Sequence, residues 1–410
     1  MLMKNFKKYS LIFILYFCSI CFPIITKASE LPTIKAEQAL AVEMSTGKIL
    51  YQKNADKKVP IASITKLLTI YLVYQDIERH KLSWSTKVSI SDYAYQLLDN
   101  KELSNVPMSK REYTVKELVE AALVSSSNTA AIALAEHISG SESQFVNRMR
   151  DQLDSWGITN HLIVNASGLN NKYLGKNIYP GSKTSDENLL SAKDLATIAR
   201  HLLTDFPEIL TITSQAKISF DGQTVTSSNQ MLPSMAKAYS GIDGLKTGTT
   251  EQSGPSFIAT ATINQMRVFT IILHATDNDD DYNRFTETAH LLDYIKQHFE
   301  LSTILKKGQA KQSTVTILDG KTNKVTLVAQ SNLTIVKEKD KTLEKLTFTP
   351  LKSVITAPIE KNQTLGKVTY GDDQKDYLEE QLVSVNMNSP IVIEESDFGK
   401  IFPLDLQSSL

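Results

Sequence analysis

Cysteine is nearly absent from this chain of 410 residues: it has 2, Cys18 and Cys21, both among the first 28 residues. Beyond them there is no thiol and no disulfide, which excludes a disulfide-stapled fold, a thiol nucleophile and a Cys-ligated metal. Histidine is sparse as well. The 7 His are scattered, with no H-E-x-x-H and no Cys/His cluster, so neither a metal nor any other cofactor is expected. An excess of positive charge is missing too: 44 basic against 45 acidic residues leave a net charge of −1, with no basic field for nucleic acid. No G-x-S-x-G announces a Ser-His-Asp hydrolase.

The longest apolar run is itself short. Lys4, Lys7 and Lys8 precede an apolar stretch from Leu11 to Phe22, and Thr26-Lys27-Ala28 offers a small-residue cleavage site before Ser29. This reads as a secretory signal peptide over 1–28, hence an exported protein at the extracytoplasmic face of the membrane or in the wall. The alternative, a retained anchor, fits poorly, because about a dozen residues interrupted by Ser19 and ended by Pro23 fall short of a bilayer span. Cys21 lacks the small neighbours that lipidation prefers. Cleavage removes four lysines and no acid, taking the net charge from −1 to −5. The remaining length suits two to three domains.

Against this spare background three short motifs stand in order: Ser63-Ile-Thr-Lys66, Ser126-Ser-Asn128 and Lys246-Thr-Gly248. Two of them are weak alone. S-x-x-K begins at Ser45, Ser63, Ser214 and Ser234, where about two or three are expected by chance, and S-x-N also recurs at Ser227 and Ser384. K-T-G occurs once.

Local context separates the copies. Ser45-Thr-Gly-Lys48 has turn composition between the apolar segments 38–42 and 49–51, and reads as a hairpin tip. Residues 64–78 are apolar in nearly every turn, which predicts a buried helix with Ser63 and Lys66 at its start. Thr114-Val-Lys-Glu117 is a capping box opening a helix toward Val124, and 128–138 predicts a second helix, so Ser125-Ser126-Ser127 is the connection. Ser191 to Asp194 opens another helix, through Leu203. Strands are predicted over 245–249, 256–263 and 266–275, with a tight turn at Asn264-Gln265, then a helix over 282–299. Ser227-Ser-Asn229 and Ser234 to Lys237 are out of order and read as loops; Ser384-Val-Asn386 reads as a strand edge. The fold class expected is α+β: an antiparallel sheet covered by helices over 29–300, then a small all-β domain over 301–393. A tail follows over 394–410, where Gly399 and Pro403 break helix and basic residues are few; at most it associates weakly and peripherally with a membrane.

The three motifs, in this order and at these element boundaries, resemble low-molecular-mass penicillin-binding proteins of the D-alanyl-D-alanine carboxypeptidase family. The resemblance implies a transpeptidase/β-lactamase-like domain and a serine peptidase that removes the terminal D-Ala of peptidoglycan stem peptides and is acylated by β-lactams. It implies Ser63 as nucleophile, Lys66 as general base and Ser126 as proton relay to the leaving group. Asn128 would hold the donor's peptide carbonyl, and the backbone N–H groups of Ser63 and Thr249 would form the oxyanion hole. Lys246, Thr247, Gly248 and Thr249 would line the site of the terminal carboxylate, with Arg284 behind them. Arg284 has an equally plain structural reading, a solvated helix start paired with local acids; Ser126 has one as the N-cap of the next helix. Two functional alternatives remain. A serine β-lactamase would need a Glu-x-x-x-Asn carboxylate, and Glu187-Asn188 has the wrong spacing. A non-catalytic wall-binding scaffold is disfavoured by the complete motif set.

Overall fold

The computed structural model describes residues 31–276, 282–339, 341–342, 345–371, 374–379 and 383–396. The expected signal segment, the acidic run 277–281 and the tail beyond 396 lie outside them.

A five-stranded antiparallel sheet carries the site. Its strands are β1 (Ala36–Glu43), β2 (Ile49–Lys53), β3 (Ile242–Gly248), β4 (Ser256–Ile263) and β5 (Met266–Ala275), in the spatial order β2-β1-β5-β4-β3. β4 and β5 meet at Asn264 and Gln265, both at positive φ (48° and 66°), the backbone twist that a two-residue hairpin loop requires. Both faces of the sheet are covered, so its strands read as near-continuous apolar runs rather than as clean alternation. Leu40, Val42, Phe269, Ile271 and Leu273 face a large helical cluster. Ala39, Ala41, Val268 and Ile272 face the opposite way, against Phe285, Leu291, Leu292 and Ile295 of the long C-terminal helix.

The helical face is built from α1 (Lys66–Glu78), α2 (Val115–Val124), α3 (Asn128–Ser139), α4 (Glu142–Ser155) and α5 (Ala192–Asp205); α6 (Asn283–His298) packs on the other side. α1 buries ten of its thirteen residues, which is why its sequence is apolar all round. The expected capping box forms at α2, Thr114 with Glu117, and the helix start expected at Ser191 is a capping box too, Ser191 with Asp194 at α5. Each satisfies two orphan N–H groups and fixes where the helix begins.

After His298 the chain turns to short strands, Phe299–Leu305 pairing with Leu333–Glu338. A three-stranded sheet centred on Thr314–Leu318 and a four-stranded one follow, around a separate core that includes Leu305, Ile317, Leu327, Val368 and Met387. The strand Ser384–Asn388, expected at a sheet edge, lies between two neighbours, the outer of which pairs with its Met387 and Asn388. Its outer partner, Val328–Ala329, is only two residues long, too short to leave a periodic signal. The hairpin tip between β1 and β2 touches this β-rich part, with Leu378 donating its N–H to the Gly47 carbonyl at 2.8 Å and Lys48 pairing with Asp376 at 3.1 Å. Among the described residues no helix is long and apolar enough to cross a membrane.

Candidate active site

Ser63 sits in a single 3-10 turn, Ala62–Thr65, immediately before α1. Side chains three apart eclipse in that geometry, which brings Lys66 directly over Ser63. Lys66 is fully buried and its Nζ has three neighbours: Ser63 Oγ at 2.8 Å, Asn128 Oδ1 at 2.8 Å and the Ser167 carbonyl at 2.6 Å. Burial, and then the charge of Lys246, hold its pKa well below the ordinary lysine value. A neutral amine has two hydrogens and one lone pair. Asn128 Oδ1 and the Ser167 carbonyl can only accept, so they take the hydrogens and leave the lone pair for the Ser63 hydroxyl.

The connection between α2 and α3 brings Ser126 to the cleft. Ser126 has φ +67°, a left-handed conformation that is uncommon for serine, and lines a cavity of about 280 Å³ with Ser63, Ser228, Thr247, Thr249 and Arg284. It is not the cap of α3. Ser127 takes that role, accepting from the Ala130 N–H, because the reversal at Ser126 moves the first helical N–H groups one residue on. Asn128 donates from Nδ2 to the Ser104 carbonyl at 2.9 Å while its Oδ1 accepts from Lys66 Nζ.

β3 forms the opposite wall. Lys246 is 1% exposed, its Nζ donates to the Thr247 carbonyl, and burial together with the Arg284 charge pulls its pKa down to about 7. Thr247 Oγ1 bonds Ser228 Oγ at 2.8 Å. Arg284 does not stand in a solvated helix start: it is 9% exposed and donates to the Gly248 carbonyl at 3.1 Å and Thr249 Oγ1 at 2.7 Å. The expected site residues thus converge from a helix start, an interhelix turn and a strand.

Two glycines make that convergence fit. A Cβ on Gly248 would stand 2.8 Å from the Ile61 carbonyl oxygen, and one on Gly168 (φ +83°) would stand 1.9 Å from that of Ala62. Gly168→Ala therefore combines a strained φ with a backbone clash beside Ser63, and thermal unfolding should show a loss of about 2–5 kcal/mol. A substitution tolerated within 0.5 kcal/mol would sink this account of the turn.

Sequence reading missed the turn that contains Gly168. Asn165 Oδ1 accepts from the Gly168 N–H at 2.7 Å, and Asn188 Oδ1 accepts from the Val164 N–H at 2.7 Å. Asn-Ala-Ser-Gly has the composition of such a turn, which was the available signal. Glu187 Oε1 and Oε2 accept from Asn170 Nδ2 and Thr250 Oγ1, on the wall of an adjoining cavity of about 510 Å³ that shares Ser104 and Thr249 with the cleft.

The sequence profile of the D-alanyl-D-alanine carboxypeptidase family matches residues 25–277, and that of the penicillin-binding protein 5 C-terminal domain matches 299–387. The D-alanyl-D-alanine carboxypeptidase DacF of Bacillus subtilis is 28% identical over 83% of this chain and 82% of its own length. A crystal structure of a peptidoglycan synthesis regulatory factor (PBP3) from Streptococcus pneumoniae is 46% identical, covering 88% of this chain and 100% of that one with a TM-score of 0.82. Penicillin-binding protein D2 of Listeria monocytogenes, solved in an ampicillin-bound form, is 29% identical over 65% of this chain and 99% of its own, with a TM-score of 0.55. On this match to its sequence profile, over more than half its length, the chain belongs to the D-alanyl-D-alanine carboxypeptidase family.

Proposed function

We infer that this protein is a serine-type D-alanyl-D-alanine carboxypeptidase that removes the terminal D-Ala from peptidoglycan stem pentapeptides and is acylated by β-lactams. The observation that carries the reading is the Lys66 amine, buried, with its pKa lowered, and 2.8 Å from Ser63 Oγ. A serine hydroxyl needs such a base to act as a nucleophile near neutral pH.

In the proposed reaction Ser63 Oγ attacks the carbonyl carbon of the D-Ala-D-Ala bond and its proton passes to Lys66 Nζ. The N–H groups of Ser63 and Thr249 stabilise the oxyanion, an effect typically worth about 3–4 kcal/mol per donor. The C–N bond breaks as Ser126 relays the proton to the departing D-Ala amine, and water then hydrolyses the Ser63 ester. Lys246, Thr247 and Thr249 receive the terminal carboxylate. Arg284, bonded to Gly248 and Thr249, adds charge from behind the strand.

Export and peripheral membrane association through 394–410 complete the proposal, and export rests on the charge and apolar pattern of residues 1–28. Fractionation of cells making the tagged chain should recover it outside the cytoplasm, and purely cytoplasmic recovery would refute export. For the activity, mass spectrometry after penicillin treatment should find a single adduct on Ser63 and D-Ala should be released from a pentapeptide. An unmodified protein would end the reading, and rapid nitrocefin turnover without a lasting adduct would replace it with a β-lactamase.

A further inference from the structure

Glu142 is a carboxylate that the reaction above does not use, yet it is 6% exposed and lies beneath the site. It opens α4, where the helix dipole favours negative charge. Its Oε1 accepts from the Ala166 N–H at 2.8 Å and its Oε2 from the Tyr93 hydroxyl at 2.8 Å. On the other side of the same residue, Thr69 Oγ1 of α1 donates to the Ala166 carbonyl at 2.7 Å. Ala166 is thereby pinned from both sides, and the next residue is Ser167.

We propose that Glu142 is a positioning residue for acylation: its carboxylate fixes the Asn165–Gly168 turn, and through it the Ser167 carbonyl that directs the Lys66 lone pair toward Ser63. This rests on the proposed roles of Ser63 and Lys66. The chain of contacts is short: Glu142 to the Ala166 N–H, one residue to the Ser167 carbonyl, then 2.6 Å to Lys66 Nζ. Gly168, one residue further, packs against the backbone of Ala62 and Ser63, so the same turn also borders the nucleophile. Were the Ser167 carbonyl to move away, an N–H of Lys66 would lose its acceptor. The amine could then rotate that hydrogen, instead of its lone pair, toward Ser63 Oγ.

The groups facing Glu142 are Tyr93 from the short helix Asp92–Gln96, Glu136 from α3, itself held by Ser91 Oγ, and the Ala166 backbone. Burial pushes the Glu142 pKa up to about 7; the Ala166 and Tyr93 bonds pull it down, and Glu136 pushes it up. Tyr93, its own pKa raised by burial and Glu142, stays a donor. A protonated Glu142 presents one oxygen as O–H and cannot accept both bonds in the same way, so the pinning loosens as pH falls through about 7. The folded state binds this proton more tightly than the unfolded chain, so between the ordinary carboxylate range and about 7 stability falls as pH rises. The ionised group is therefore kept at a cost to stability, as expected of a group held for function.

The test is the acylation rate with a fluorescent penicillin, measured with labelling stoichiometry from pH 6 to 9. Glu142→Ala should label to full stoichiometry about 10–100-fold more slowly, with apparent affinity within about twofold, the cost of a small misplacement at a reacting group. Glu142→Gln retains an acceptor for the Ala166 N–H without titrating. It should recover most of the rate at pH 8 and lose activity toward acid less steeply than wild type, by one proton. Wild-type speed in Glu142→Ala, or an unchanged acid limb in Glu142→Gln, would overturn the proposal. Should Glu142→Ala fail to fold, the Glu142→Gln limb decides alone. A wild-type protein with no Ser63 adduct would overturn the reaction itself and this inference with it.

Discussion

Ser63→Ala should release D-Ala from a pentapeptide at less than about one-thousandth of the wild-type rate and take up no penicillin adduct, because the covalent step loses its nucleophile. Substrate binding should survive. Lys246 and Thr247 stand on β3, Thr249 directly follows it and Arg284 is on α6, and none of these depends on the Ser63 hydroxyl. The removed hydroxyl bonds Lys66 Nζ, so a local effect is a freer Lys66, with no lost packing elsewhere. The measurement is D-Ala release alongside retained stem-peptide affinity by calorimetry. A variant that keeps more than a tenth of the activity would move the nucleophile elsewhere, and one that loses affinity as well would mean that Ser63 holds the cleft together.

How far this site could be read from sequence depends on what kind of atom each residue contributes. Lys246-Thr-Gly248 was legible because three side-chain identities are constrained at once: a buried ammonium, a hydroxyl, and a glycine whose missing Cβ admits the Ile61 carbonyl. Ser63 and Lys66 were legible because an i, i+3 pair ahead of an apolar helix has a definite geometry. Arg284 stayed open between two readings, since its partners are the Gly248 carbonyl and the Thr249 hydroxyl, 36 and 35 residues away. The turn at 165–168 had turn composition, but its role at the site was hidden for a related reason. Its contribution to Lys66 is the Ser167 backbone carbonyl, which any residue could supply, and the side chain that pins it, Glu142, is 24 residues distant. Ser228, set aside as a loop serine, borders the cleft through Thr247, a contact that only strand β3 brings about. Strands and helices were readable where burial imposed a period or a capping box marked a start. They were least readable in the β-rich part, where partners such as Val328–Ala329 are two residues long.

Lys66→Met should lower kcat by about 10²–10⁴-fold with a small change in KM, the loss expected when a general base is removed and the binding groups stay. The pH dependence of the wild type then separates the two lysines. Protonated Lys66 has no lone pair, so kcat falls as the pH is lowered; burial and the Lys246 charge keep that limb well below the ordinary lysine range. Lys246, at about 7, works in the opposite sense: it attracts the substrate carboxylate when charged, and loses that charge as pH rises past 7. KM should therefore rise on the order of tenfold between pH 7 and 8.5 while kcat holds or increases. Lys246→Met should abolish that rise, with a KM uniformly high. Stability moves against affinity here. The unfolded chain keeps the Lys246 proton up to the ordinary lysine value of 10.5 while the folded protein releases it at about 7, so across that window unfolding becomes harder as pH rises. The charge that binds substrate is thus the form the fold tolerates least, and Lys246→Met should raise the melting temperature at neutral pH as it weakens binding. A variant that loses both affinity and stability would show that Lys246 is needed for packing, and a flat KM in the wild type would remove it from the carboxylate site.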